Sequence, residues 1–348
     1  MATAKQTARL VTLLACLLAA WIGLAWPSGA WADPVADFYA GRSINLYIGY
    51  SMGGGYDDYA RAIARHLGKH IPGNPTVVPQ NMEGAGSLRA ANFVYARGAQ
   101  DGTAIATFAR AAAFYPLMGL QGANFDATHF NWLGSANTET SLCVSWVGSG
   151  VTTIADLKAR GMTAGGTGAA DDTVQFIRML NGVLGTKIGL KLGYHGGSDV
   201  LSAMERGDVQ GLCGWSYSSL QATRPLWLAE HKVNILLQLG LIKHPDLPDV
   251  PLVMDMPMSS TSRAMLRLIF ARQVMGRPFA APPGVPPERV AALRKGFADT
   301  LKDPDFLADA QKAGLEINGI SGEDVQSLVT DLYKSRPEIA LEAGKLLQ

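Results

Sequence analysis

Gly49-Tyr50-Ser51-Met52-Gly53 spells G-x-S-x-G, the spacing that presents a serine nucleophile on a tight strand-to-helix turn. Catalysis there would need an acid and a histidine in support. His231 and His244 have Glu230 and Asp246 beside them, but neither pair has a recognisable setting, and His195-Gly196-Gly197 follows the serine where an oxyanion-hole loop should precede it. Only residues 33–50 of an exported chain would precede Ser51, too few for the strands such an elbow normally follows. An exported serine hydrolase therefore stands as the second reading. His66 and His70, four apart, could grip a metal from one helix face. Their place near a helix end is explained more simply by the helix dipole. The remaining histidine is His129, and no H-E-x-x-H is present. Neither glycine loop carries the lysine of a P-loop or the spacing G-x-G-x-x-G, so nucleotide binding is unsupported. No cofactor and no metal are expected.

The first reading uses the same stretch without chemistry. Residues 44–50 form a largely apolar run, Gly53-Gly54-Gly55 follow, and then an amphipathic helix starts. Ala60, Ile63, Ala64 and Leu67 fall on one face. Asp57 and Asp58 stand in its first turn and Arg65, His66, Lys69 and His70 near its end, the charge order that complements the macrodipole. Glycines between strand and helix leave N–H groups pointing outward with the positive helix end behind them, a seat for a carboxylate or phosphate. A plain strand-to-helix turn is the competing account. Asp57 reads more naturally as a structural residue at the helix start, since a carboxylate would repel an anion.

The rest of the chain must position that loop. Lys5 and Arg9, an apolar run from Leu10 to Trp26 and Ala30-Trp31-Ala32 make residues 1–32 a secretory signal peptide. Cys16 follows Leu13-Leu14-Ala15 and faintly resembles a lipoprotein cleavage box. No other stretch is long and apolar enough to span a bilayer, so a soluble periplasmic protein is expected. Removing Lys5 and Arg9 leaves 28 of the 30 Lys and Arg against 29 Asp and Glu, a net charge of −1. No basic stripe appears, which argues against nucleic acid. Cys143 and Cys213 remain; they could pair, or stay as two buried thiols.

Strands are expected at 44–50, 76–81 and 103–108, with helices from 56 and over 88–96 between them. The pattern restarts with strands at 142–147, 162–164, 188–192 and 209–213, and helices from 153, 171 and 198 or 199. Residues 234–239 read as a strand returning to the first lobe, 244–258 as an irregular connection, and 286 onward as mostly helical. Alternating strands and helices predict α/β architecture with right-handed crossovers and mainly parallel sheets. Four times a strand enters a glycine-bearing turn and a helix start, so these turns should face one place. Arg110, just past the third strand, is the cation placed to meet a carboxylate, unless it is a surface arginine. Tyr56, Phe108, Trp215 and Tyr217 lie near strand ends, where they could close over a flat or apolar ligand or serve as core.

At these residues the chain resembles the receptor family of tripartite tricarboxylate transporters, the Bug-type periplasmic solute-binding proteins. Met52-Gly53-Gly54-Gly55-Tyr56-Asp57 matches the family's P-G-G-G-x-D, with methionine for proline, followed by Ala60-Arg61. Asn81–Gly86 matches N-x-x-G-A-G and Asp101-Gly102-Thr103 matches D-G-[TY]; residues 244–251 and 281–288 are also typical. The resemblance implies a type II periplasmic-binding fold with a ligand cleft between two α/β lobes, which the chain order divides as 33–138 plus 233–348 and 139–232. It implies ligand carboxylates held by backbone N–H groups and waters. The loops concerned would contribute Ser51, Gly53, Gly54, Gly55, Tyr56 and Asp57; Asn81, Gly84, Ala85 and Gly86; Gly166, Thr167, Gly168 and Ala169; and Gly196, Gly197 and Ser198. The expected ligand is a di- or tricarboxylate, or an aromatic carboxylate in view of Tyr56, Arg110, Trp215 and Tyr217. A membrane permease would read the closed form of a monomeric, non-enzymatic receptor. A ligand-sensing module that signals through the closed form is the third reading.

Overall fold

The structure is a computed structural model that describes residues 33–334 and 337–348; the expected signal peptide and Cys16 lie outside the described residues. Helix α1 (Pro34–Tyr39) leads into β1 (Ser43–Ile48), α2 (Gly55–Leu67), β2 (Thr76–Asn81), α3 (Leu88–Arg97) and β3 (Ala104–Thr107). Strands β2, β1 and β3 run parallel in that spatial order. Ile44, Leu46 and Ile48 alternate inward along β1 and meet Tyr59, Ala60, Ile63 and Leu67 of α2, all fully buried. That is the period-2 strand against the period-3.6 helix that builds a βα layer.

The parallel run stops there. β4 (Asn131–Ser135), β10 (Pro278–Ala281) and the two-residue β11 (Ile320–Ser321) complete a six-stranded sheet in the order β11-β4-β10-β3-β1-β2, and β10 pairs antiparallel with both β3 and β4. The second sheet follows the same scheme. β5 (Ser141–Trp146) leads through α4 (Ile154–Ala159), β6 (Met162–Gly166), α5 (Asp172–Leu184), β7 (Ile188–Leu192) and α6 (Gly197–Glu205) to β8 (Gly211–Ser216), α7 (Tyr217–Thr223) and β9 (Val233–Leu239). The order is β7-β6-β8-β5-β9, with β7, β6 and β8 parallel and β5 antiparallel to β8 and β9. Both sheets are thus mixed, where mainly parallel ones were expected. A strand that enters from the neighbouring sheet need not arrive by a βαβ crossover, and it can run the other way.

Three further expectations are corrected. Residues 234–239 do not return to the first sheet: β9 pairs with β5 over its whole length at the edge of the second. β8 begins two residues later than expected and continues through Trp215, because Gly214 at φ +81° forms a bulge opposite Leu142 and Cys143. α6 is capped at Gly196, with Asp199 at its third position accepting from the His195 and Gly196 N–H groups at 3.0 and 3.1 Å. Strands β4, β10 and β11 went unforeseen: β11 is two residues long, and β4 and β10 are short, glycine- or alanine-rich and irregular in register. Cys143 and Cys213 stand opposite each other on β5 and β8 and are joined as a disulfide.

The C-terminal part comprises α8 (Ser260–Ala271), α9 (Pro287–Thr300), α10 (Pro304–Lys312), α11 (Gly322–Tyr333) and α12 (Pro337–Leu347). α12 does not stay with the first sheet. Gly182 of α5 leaves room for Leu346, and Arg178 donates to the Leu347 carbonyl at 2.7 Å. Gly344 lies against the Met118 carbonyl on the side of the first sheet. One helix therefore rests on both halves, and its buried Ala340, Ala343 and Leu347 join a single apolar cluster that runs from Trp132 to Phe176. Among the described residues no helix is long and apolar enough to cross a membrane.

The basic end of α2 is fastened to α10. Asp303 caps α10 by accepting from Asp305 N–H at 3.0 Å, and its other oxygen meets His70 Nε2 at 2.9 Å and Lys69 Nζ. His66 Nε2 reaches Asp309 at 2.8 Å. The histidines foreseen as a helix-end pair thus serve as partners of acids on a neighbouring helix. Lys69 first and His70 next hold the Asp303 carboxyl well below the usual carboxylate range. A depressed folded-state value contributes stability that is complete above about pH 4, the ordinary aspartate value, and is lost below it. Asp303→Asn keeps a capping side chain and removes the charge. It should therefore melt below the parent at pH 7, with the difference shrinking as the pH is taken from 4 toward 2.5; thermal melts by circular dichroism measure this.

Candidate functional site

The carboxyl ends of β1, β2, β3, β6, β7 and β8 all open onto the gap between the two sheets, where ligand sites of open α/β sheets lie. The glycine loops converge there. A Cβ on Gly54 would lie 3.8 Å from Ser198 N and 3.9 Å from Gly197 N, and Ser198 Oγ donates to the Met52 carbonyl at 3.1 Å. The N-termini of α2 and α6 therefore abut across the gap, each with first-turn N–H groups that its own helix leaves unpaired. Beside them Gly168 packs on the Ala85–Gly86 backbone: a Cβ there would overlap Gly86 N and lie 2.6 Å from Ala85 C. Gly84, Ala85, Gly86 and Ser87 all have positive φ. Ser87 Oγ pins this turn by accepting from Ala109 N–H at 2.6 Å. Two helix starts facing each other are suited to an anion, by direct N–H donation and by both dipoles.

Asp57 holds the first loop in shape. Buried at 2% exposure, it accepts from Gly53 N–H at 3.0 Å, Arg61 Nε at 2.9 Å and Asn81 Nδ2 at 2.8 Å. Asn81 also donates to the Tyr50 carbonyl and accepts from Arg61 at 2.7 Å. Asp57 thus has the structural role its place at the helix start favoured, and Asn81, expected at the ligand, joins it in tying α2 to the end of β2.

The loops and sheet ends enclose a cavity of about 630 Å³, counting its open mouth. Of the expected residues, Gly54, Gly55, Tyr56, Arg110, Thr167, Gly197, Ser198 and Trp215 line it. Ser51, Ala85, Gly86, Gly168 and Gly196 form the seam beside it and Gly53 and Ala169 are exposed, whereas Gly166 is packed beneath Val174, Leu190 and Leu192. Two aromatics belong to the core instead. Phe108 is 1% exposed among Phe130 and Trp132. Tyr217 packs against His244. Both were judged by nearness to a strand end; each stands just past its strand, Tyr217 as the first residue of α7, and packs its ring into the core.

Arg110 is the main correction. Four hydrogen bonds hold its guanidinium: Nε donates to Asp172 at 2.8 Å, Nη2 to Ser141 at 2.7 Å, and Nη1 to Ser216 and the Gly276 carbonyl at 3.3 and 3.2 Å, while Nη2 also lies 2.6 Å from the same Asp172 oxygen. Burial alone would lower its pKa; Asp172 first, then Tyr56 and Glu139, together more than reverse this. Two further buried arginines, on the stretch between 258 and 286 for which no element was expected, were missed. Arg272 lies 3.1 Å from Asp172 Oδ1 and over the Phe176 ring, and burial lowers its pKa. Arg277 lies between the Tyr56 and Tyr59 rings, pairs with Glu139 at 3.3 Å and donates to Ser219 at 2.8 Å. Tyr50 stacks on Tyr56 at 4.4 Å and donates to Asp171. Burial first, then Asp171, pushes its pKa well up, so it stays a hydroxyl donor at neutral pH.

Ser51 is a poor nucleophile here. Its Oγ is buried without a hydrogen-bond partner, and its backbone is not in the left-handed region that a strained elbow would show. Among the described residues no His, Cys, Asp and Glu group is arranged to hold a metal ion.

Asp57→Ala should cost about 2–3 kcal/mol, since it strands a half-exposed guanidinium, a buried amide and a loop N–H. A lower urea midpoint at unchanged slope checks it; an unshifted midpoint would mean that the loop does not need its acid.

No family model matches the chain, and no curated protein matches it by sequence. Solved structures match in fold. The periplasmic binding protein BugD superposes with a TM-score of 0.70 at 20% identity, over 88% of this chain and 99% of its own. Rpa4515 of R. palustris, solved with adipate, gives 0.68 at 20% identity over 87% and 97%. MatC of Rhodopseudomonas palustris, solved with bound malate, gives 0.69 at 17% over 88% and 99%. The chain thus has the fold of the Bug- and TctC-type periplasmic binding proteins.

Proposed function

We propose that this chain is a periplasmic solute-binding receptor that captures a small carboxylate between its two halves and presents the closed form to a membrane permease. The abutting N-termini of α2 and α6 carry this reading. Capture needs no reaction at Ser51. Structural neighbours solved with adipate and with malate make a carboxylate the natural class. Charge-assisted hydrogen bonds contribute ~1.5–3 kcal/mol each, and after the costs of ordering and association a micromolar constant, about −8 kcal/mol, is expected. Since the ligand would touch groups from both sheets, it favours the closed arrangement by its differential affinity. The halves we take as lobes divide where the chain passes between the sheets, at 136–140 and 240–277.

Thermal-shift screening of mono-, di- and tricarboxylates tests the reading. At about 100 times Kd a ligand adds ~2.7 kcal/mol, a clear rise in Tm; no rise with any carboxylate at millimolar concentration would defeat it. Gly168→Ala introduces a Cβ into the Ala85–Gly86 backbone only when the halves meet. It should weaken binding by at least ~10-fold, the effect of opposing closure by 1.4 kcal/mol, with little change in the Tm of the unliganded protein. Unchanged affinity in calorimetry would show that closure does not bring these turns together.

A further inference from the structure

Resting on that reading, the structure assigns the ligand to a narrower class: a monocarboxylate with an uncharged, apolar or aromatic body. Charge pairing around the cavity carries the argument. Three guanidinium groups are buried there, Arg110, Arg272 and Arg277, each no more than 2% exposed. Three buried carboxylates answer them. Asp172 takes Arg110 and Arg272, Glu139 takes Arg277, and Asp171 accepts from Tyr50 and from Thr173 N–H at 2.8 Å. The formal sum is zero. Arg61, the nearest cation on α2, is committed to Asp57 and Asn81.

What remains for a ligand is therefore uneven. One negative group can settle on the main-chain N–H groups where α2 and α6 meet. The rest of the cavity is walled mainly by Tyr50, Tyr56, Leu201, Leu212 and Trp215, with the neutral hydroxyls of Thr167, Thr173, Ser216, Ser219 and Thr223 between them. A second carboxylate among those walls would be desolvated with no uncommitted cation, beside Asp171 and Asp172. An uncompensated buried charge costs several kcal/mol. A ligand ammonium fares no better, because the charge of Asp172 is already shared by two guanidinium groups, Glu139 is paired with Arg277, and Asp171 already accepts two hydrogen bonds. The one unmet donor on a lining arginine is Arg277 Nε, buried and without an acceptor. Trp215 and the edge of the Tyr50–Tyr56 stack give the body an aromatic wall.

Matched pairs test this on the full mature protein. Titration calorimetry would compare hexanoate with adipate and phenylacetate with 1,4-phenylenediacetate, each pair sharing its skeleton. The monocarboxylate should bind more tightly in each pair, by a factor on the order of 100. Asp172→Asn frees one positive charge beside the cavity and should narrow that factor at least ~10-fold, with circular dichroism confirming the fold. A dicarboxylate that binds as tightly as its partner overturns the inference while leaving carboxylate capture standing. If neither member of any pair binds, both fail together. A factor unmoved by Asp172→Asn in a folded variant also contradicts the inference, since the pairing would not be what excludes the second charge.

Discussion

The structure depends on keeping three guanidinium groups out of water at the meeting of two sheets. A buried charge without a partner is among the most costly things a fold can contain, so each arginine is met by an acid, and the pairs gather where the two halves and their connections meet. Arg110 follows β3 of the first sheet, while Asp172 opens α5 over the second. Arg272 and Arg277 leave the connection that returns from the second sheet and meet Asp172 and Glu139. These pairs set how the halves meet, and the glycine loops then face each other as a consequence. Breaking one partner would leave the other stranded, which is why the acids and arginines must be understood as one group.

The division of labour around the cleft follows. Side-chain charges are taken up by structure, which in the proposed reading leaves recognition to main-chain amides and aromatic walls. Asp57 illustrates this: it spends both oxygens on shaping the loop whose N–H groups face the gap. The same economy explains the glycines. Gly168 and Gly86 allow backbones from opposite halves to approach more closely than any side chain would permit.

Much of the scaffold was legible in the sequence. β2 and β7 begin and end where the residue pattern placed them, and the glycine turns do converge, because local turn chemistry and period-2 and period-3.6 patterning report on neighbours in the chain. What pattern could not supply was long-range pairing. Nothing near Arg110 announces Asp172, 62 residues on, and no local signal marks Glu139 as the partner of Arg277. Strand membership failed for the same reason. β9 reads as a strand in isolation, yet only its pairing with β5 shows which sheet it serves. Phe108 and Tyr217 were placed by nearness to a strand end, which leaves open the face on which the ring emerges.

Hydrogen–deuterium exchange at single-residue resolution, with and without a saturating carboxylate, tests the central claim most directly. The amides of Gly54, Gly55, Tyr56, Gly197 and Ser198 should slow together on ligand addition, since one anion would engage both helix starts. Protection confined to one of the two helices, or appearing elsewhere while these five amides exchange as before, would contradict the account.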